Sequence, residues 1–223
     1  SGFSFIRNNE KKHIWVGMAR ETAHQLGTPV SALMGWVDWL KNHPDKTEEI
    51  IPEMEADLQR LEQIGRRFSK MGSKSDFEEL DLSERVEKIV NYLTKRLPSI
   101  GKKVKLVNDI QPGIFIRANG SLLAWSIENI IRNGIDAIER EDGMISISLK
   151  KDVDGIKICI EDNGKGIPKK DWKNIFRPGF STKQTGWGLG LSLSSRIVEE
   201  IHGGSLKVIS SSFDTGTIIE ISL

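Results

Sequence analysis

The chain has 223 residues, 38% hydrophobic and 28% charged with a formal net charge of +1, which is enough for one or two globular domains and too apolar for a disordered segment. The near-neutral charge gives no support to a nucleic-acid partner, the single Cys159 excludes an internal disulfide and a cysteine-rich metal site, and no run of 18 apolar residues is present to span a membrane. The sequence opens Ser1-Gly2, without a methionine or a signal-peptide pattern, and reads as an excised cytosolic fragment whose upstream part is not seen.

Residues 4–42 predict one long helix. Trp15, Ala19, Thr22, Leu26, Val30, Leu33, Val37 and Leu40 recur at spacings of 4, 3, 4, 4, 3, 4 and 3, a coiled-coil seam with one stutter. His24 lies two residues from both Thr22 and Leu26, about 200° round the helix from each, so it faces away from the seam toward solvent. Gly27 and Pro29 weaken the turn that follows and predict a kink there. Lys41–Lys46 is a polar hairpin loop, and a second amphipathic helix from Thr47 repeats its stripe at Ile51, Met54, Leu58, Leu61, Ile64 and Phe68 to end near Gly72. A hairpin cannot bury both seams by itself, so a homodimeric four-helix bundle is expected. His13 and His43 read as ordinary surface residues, and Trp36 and Trp39 flank the seam, either packing on the second helix or offering an aromatic contact to a partner.

The predicted units are a helical hairpin over 1–72, a polar linker over 73–77 and a second domain over 78–223. Past the linker, Glu79–Leu82 reads as a strand, and Ser83 as the N-cap of a helix to about Leu97. Val104–Val107 and Ile114–Ile116 are short strands, and a long helix covers about Gly120 to Arg140. Met144–Lys150 and Gly155–Glu161 form a hairpin; Leu189–Ile201 is a helix; Leu206–Ser210 and Thr217–Ser222 are closing strands. This order argues an α+β sandwich, one mixed sheet with helices on one face.

Four pieces of the second domain carry chemistry. On the long helix, Asn129 and Asn133 are four apart and share a face with Arg132 and Asp136 beside them; amide oxygens and a cation so placed suit a hydrated Mg²⁺ and phosphate oxygens, although taken alone this piece is better read as a plain polar helix face. Asp162 follows an apolar strand and precedes Gly164-Lys165-Gly166-Ile167. Its carboxylate sits at a strand end, able to accept from an exocyclic amine such as that of adenine, with glycines that let backbone approach a ligand. Phe176 and Phe180 flank a loop bearing Ser181, Thr182 and Lys183. Gly186, Gly188, Leu189, Gly190 and Leu191 open a helix whose N–H groups can cradle phosphate. Neither the dinucleotide fingerprint nor a Walker-type loop is present.

Each piece is weak alone, but their order and spacing resemble the four boxes of the Bergerat-type ATP-binding domain shared by histidine kinases, MutL and type II topoisomerases. The resemblance covers roughly 80–223 and extends to Gly216-Thr217, whose threonine in that family helps hold the adenine-binding carboxylate. Asn129 matches the histidine kinases, since clamp-type ATPases of the superfamily usually place glutamate there as a general base. His24, followed by Thr28-Pro29 on a dimerising hairpin, is similar to the histidine box of sensor histidine kinases. The resemblance implies autophosphorylation of His24 by ATP with Mg²⁺ held by Asn133, then transfer to an aspartate on a response regulator receiver domain. Arg132 and Lys183 would neutralise the transferring group, Asp162 would select adenine, and the segment about 179–187 would act as a lid. It implies a cytoplasmic domain of a membrane-anchored bacterial sensor, the membrane entering only through an upstream segment. Thr28 matches a position that orients water for dephosphorylating the regulator.

One position departs from the family. Where Glu or Asp usually follows the histidine, this chain has Gln25, whose amide accepts a hydrogen bond but cannot take a proton; Glu21, three residues earlier on the same face, is the substitute candidate. Two other readings compete with the kinase: an ATP-operated clamp, disfavoured by Asn129, and a non-enzymatic dimeric adaptor, disfavoured by the intact Asn133, Asp162 and glycines.

Overall fold

The computed structural model describes residues 2–72, 77–98, 103–177, 180 and 190–223, and the side chains of 2–15, 18, 21, 63 and 66–72 lie outside that description. The chain divides into two compact units, Ser1–Ser75 and Asp76–Leu223.

The first unit is a hairpin of α1 (Gly2–Asn42) and α2 (Thr47–Gly72), joined by His43 and a single 3₁₀ turn at Pro44–Lys46. The Thr47 hydroxyl donates to the Pro44 carbonyl (2.7 Å) and fixes the reversal. α1 stays helical through Gly27-Thr28-Pro29, so the weakened turn does not interrupt the helix; Pro29 is buried. α2 likewise runs through Pro52, beyond its first turn. The helices meet through Trp36, whose indole N–H donates to buried Asp57 (3.2 Å), with Arg60 3.6 Å from the other carboxylate oxygen. Trp36 therefore packs on the second helix, whereas Trp39 stacks on His43 with ring centroids 4.2 Å apart. Of the predicted seam, Leu26, Leu33 and Leu40 are half-buried and Val30 and Val37 exposed.

The second unit is built on a five-stranded mixed sheet in the order β2-β4-β5-β7-β6. Its strands are β2 (Val104–Ile110), β4 (Gly143–Asp152), β5 (Gly155–Asp162), β6 (Ser205–Ser212) and β7 (Gly216–Ser222). Only β2 and β4 are parallel; the other neighbours are antiparallel. A two-stranded antiparallel ribbon of β1 (Glu78–Asp81) and β3 (Phe115–Ala118) lies apart from it. The helices α3 (Leu82–Arg96), α4 (Gly120–Ala137) and α5 (Gly190–Arg196) complete the unit. Ile145, Ile147 and Leu149 of β4, Ile156, Ile158 and Ile160 of β5, and Ile219 and Ile221 of β7 are buried with Leu93, Ile127 and Ile131 of the helices in one core. The two-residue alternation along the strands leaves the opposite sheet face partly open.

Three local expectations are corrected. The N-cap of α3 is Asp81, whose carboxylate accepts the Glu84 N–H at 3.0 Å. Ser83 is instead buried inside the first turn, donating to Gln111 O (2.6 Å) and accepting from Ile114 N (3.0 Å). A carboxylate two residues earlier takes the cap, and the serine ties down the β2–β3 connection. The central helix ends at Ala137 rather than near Arg140, because Ile138 turns to an extended conformation and is buried. The third is one of detail: the last helix runs to Ile201 as expected, but changes from α to π geometry over Ile197–Ile201.

Candidate functional site

Along β5, Ile156, Ile158 and Ile160 are buried, and the same two-residue parity carries Asp162 to the helix-covered side, where it is 8% exposed. Pairing in register places Ile145 on one flank of Asp162 and Thr217 on the other. Its Oδ1 accepts the Gly164 N–H at 2.8 Å. Burial pushes the carboxyl up to about 6 against the opposing pull of the Gly164 and Thr217 N–H groups. The Thr217 hydroxyl is engaged elsewhere, with Ser211 at 2.8 Å, so threonine supports the carboxylate through its backbone.

α4 supplies the wall beside this carboxylate. It starts at an Asn119 N-cap accepting from Leu122 N (3.1 Å) and packs its isoleucine stripe inward. Gly134 lies over Asp162: a Cβ there would stand 3.3 Å from the Asp162 Cβ and 3.6 Å from Oδ2. The same Cβ would stand 3.1 Å from Ile145 Cδ1, so the glycine lets α4 pack close against the ends of β4 and β5 around this carboxylate. Asn129, Arg132 and Asn133 are half-buried on the neighbouring face, and Asp136 is exposed. Arg132 is paired with Glu128 one turn earlier, both Nε and Nη2 lying 2.9 Å from Oε1. Asn133 Nδ2 donates to the Asn129 carbonyl at 3.0 Å, and Asn129 Nδ2 donates to Ser194 Oγ at 3.1 Å. Among the described residues no group of three or more His, Cys, Asp or Glu could hold a metal, so a cation here would depend on these amide oxygens, donors of the hard type that Mg²⁺ takes.

The loop after Asp162 is sewn to its surroundings. The Lys165 N–H donates to Ala137 O (3.1 Å), its carbonyl accepts from Asp214 N (3.2 Å), and Ile167 N donates to Ser211 Oγ (2.7 Å). Gly166 has φ of +76°, and a Cβ there would lie 2.0 Å from Ser212 O; at Gly164 it would meet Ala137 O at 2.6 Å. Phe176, Phe180 and Leu191 pack against the core, each partly buried. Gly190 opens α5 with its Cα against the Asn129 amide. Ser181, Thr182, Lys183, Gly186, Gly188 and Leu189 lie outside the described residues.

In the first unit His24 and Gln25 are partly exposed and Thr28 is exposed on α1, while the Glu21 side chain lies outside the described residues. Three contributors were not singled out from sequence: Glu128, Ser194, and Asn163, which accepts from Met144 N (2.8 Å) and donates to Asp142 O (2.9 Å). Asn163 adjoins Asp162 in sequence, but nothing in the spacing marks Ser194, which meets Asn129 only through tertiary packing.

Comparison with known proteins bears on this arrangement. The family described as "Histidine kinase-, DNA gyrase B-, and HSP90-like ATPase" matches residues 119–223. The chain is 27% identical over 226 residues to sporulation kinase B of Bacillus subtilis, covering 99% of this chain and 52% of that protein. It is 25% identical over 230 residues to the nitrogen regulation protein NtrY of Azorhizobium caulinodans, covering 96% and 29%. It thus spans about half or less of the length of these curated relatives. Among solved structures, histidine kinase ThkA in complex with the response regulator TrrA shares the fold with a TM-score of 0.62 at 20% identity, over 96% of this chain and 63% of that one.

Proposed function

Because residues 119–223 match the histidine kinase-, DNA gyrase B- and HSP90-like ATPase family and the chain is similar along most of its length to proteins named sensor histidine kinase, we propose that it autophosphorylates on His24 with ATP and passes the phosphoryl group to an aspartate of a response regulator. The observation that carries the nucleotide half is the buried Asp162 carboxylate at the end of β5, one oxygen held by the Gly164 N–H and α4 packed close beside it at Gly134. The kinase half rests on Asn129, an amide where a water-activating glutamate would serve an ATPase, and on an accessible His24 on a two-helix hairpin.

In this reading Asp162 accepts a hydrogen bond from the adenine amine while Gly164 holds its other side in place. Asn133 would hold Mg²⁺ through its amide oxygen, with Asn129 beside it in the phosphate–metal region, and that ion would supply charge neutralisation on the phosphates. Arg132 exchanges its bond to Glu128 for a phosphate oxygen, and Lys183 adds a second positive charge. An imidazole nitrogen of His24 then forms a bond to the γ-phosphorus as the bond to the bridging oxygen breaks. ADP leaves with that electron pair, and the imidazole proton passes to Glu21, since Gln25 has no basic atom to receive it. Catalysis is positioning and charge neutralisation. Thr28, one turn beyond, orients water for dephosphorylation of the regulator. The apolar stripe left open on the hairpin supports a homodimer, and the likeness to a kinase solved with its response regulator supports the partner class. The domain boundaries follow the hairpin over 1–72, the linker over 73–77 and the catalytic domain over 78–223. A cytoplasmic domain of a membrane-anchored sensor is what the resemblance to sensor histidine kinases implies for this portion.

Incubation with γ-labelled ATP and Mg²⁺ tests this. The expected result is an acid-labile, base-stable label that His24→Ala abolishes. Phosphate release without protein label would favour the clamp-type ATPase, and absence of any turnover the adaptor.

A further inference from the structure

Asn129 is held by a residue outside the motif that contains it. Ser194 of α5 is fully buried, and its hydroxyl donates to the Gly190 carbonyl one turn back at 3.0 Å. Such a bond within a helix is routine for serine. Less routine is its consequence across the helix–helix contact. A hydroxyl has one proton, and here that proton is spent on Gly190. Toward Asn129, 3.1 Å away, Ser194 can only accept. The amide must therefore present its NH₂ end to Ser194, which makes Oδ1 the end left for a ligand. Gly190 completes the seat from below: a Cβ there would stand 2.7 Å from Oδ1, 2.8 Å from Nδ2 and 3.2 Å from Cγ of Asn129, so the amide lies flat against the bare glycine.

We infer that Ser194 is a positioning residue that sets the amide polarity of Asn129, turning its oxygen toward the cation-bound phosphates; this rests on the nucleotide reading above. The neighbouring amide is treated alike, since Asn133 spends an N–H on the Asn129 carbonyl. Both side chains are thus tied by their donors, the arrangement a divalent cation requires, because an NH₂ end turned toward it would repel. Without the serine oxygen, Asn129 can rotate or flip, and a fraction of molecules offers the wrong atom.

The test uses the full chain with ADP as probe. In Ser194→Ala the affinity for ADP in excess chelator stays as in wild type. The Mg²⁺ concentration needed for half-maximal enhancement of ADP binding rises on the order of 3- to 10-fold, the scale of one lost hydrogen bond. A second reading needs no metal: in nucleotide-free protein the Asn129 side-chain NH₂ resonances shift and their solvent exchange quickens. Wild-type Mg²⁺ dependence together with unmoved resonances would overturn the inference. Should Ser194→Ala fail to fold, Ser194→Cys keeps the shape with a poor acceptor, and the same two shifts are expected. If wild type itself binds no ADP, the nucleotide reading fails, while the resonance comparison still decides whether Ser194 fixes the amide.

Discussion

The two units treat apolar periodicity in opposite ways. In the second, Leu82, Leu93, Ile114, Leu123, Ile127, Ile131, Ile145 and Ile147 are all fully buried within one core. In the hairpin Val30 (42%), Met34 (69%), Val37 (47%), Ile51 (44%) and Leu58 (53%) stay exposed although they recur at helical spacing. The reason is geometric. A sheet covered by three helices closes around its own side chains, whereas two helices bury one stripe each and leave the adjoining one open. One unit closes its apolar face within a single chain, and the described part of the other leaves a stripe open, the face on which the proposed homodimer would form.

That contrast can be broken by a charge in the open stripe. Val37→Asp should convert a dimer to monomer, raising the dissociation constant at least about 100-fold, since a carboxylate buried without a partner costs several kcal/mol. Sedimentation velocity reads the outcome. ADP binding by the second unit should not change, because Val37 belongs to the hairpin. A dimer that survives the charge would place the interface elsewhere.

The next largest effect lies inside the closed unit. Asp162 is buried and pushed up to about 6 from its ordinary carboxylate value. The folded state therefore binds its proton more tightly than the unfolded chain does. The resulting stabilisation is complete below the unfolded value and is lost as pH rises through about 6. Adenine recognition has the reverse preference, because the ionised carboxylate is the stronger acceptor. Lowering pH from 7 to 5 should thus weaken ADP binding while stabilising the nucleotide-free protein. Asp162→Asn should cost about 10- to 100-fold in ADP affinity and raise the melting temperature at pH 7.5, and both pH slopes should flatten. Calorimetric titration and thermal melting across that range measure the two, and parallel slopes would refute the assignment.

What was legible in the sequence divides along the same line. Asp162 could be placed because strand parity is local: three alternate isoleucines announce which side the next carboxylate takes. The α4 start near Gly120 was legible, as was the long first helix from its heptad spacing. Ser83 was misassigned because a capping residue and a buried serine look identical until Gln111 and Ile114 arrive from elsewhere in the chain. Ser194 was missed for the same reason, its partner Asn129 being 65 residues away. Arg132 carries a subtler lesson: its charge was legible, but its engagement through Nε and Nη2 by Glu128 on the same helix was not. The Gly27–Pro29 weakness read as a kink, and α1 passes through it as one continuous helix, since helical hydrogen bonding resumes on either side of a proline.

The smallest expected effect concerns the part of the hairpin that is closed. Trp36 donates its indole N–H to Asp57, a carboxylate only 7% exposed that also lies 3.6 Å from Arg60. Trp36→Phe retains most of the ring and removes the donor, leaving Asp57 with a weaker partner. The cost should be about 1–2 kcal/mol, seen as a lower melting temperature of the hairpin transition. Asp57→Asn should cost less, since its amide oxygen still accepts from the indole while the buried charge disappears. If Trp36 only anchors α2, Trp36→Phe leaves transfer to a response regulator as fast as in wild type at a temperature where both fold. A slowed transfer with unchanged stability would instead make the tryptophan part of the regulator's landing surface, and the indole bond to Asp57 would then be a way of presenting that ring rather than of holding two helices together.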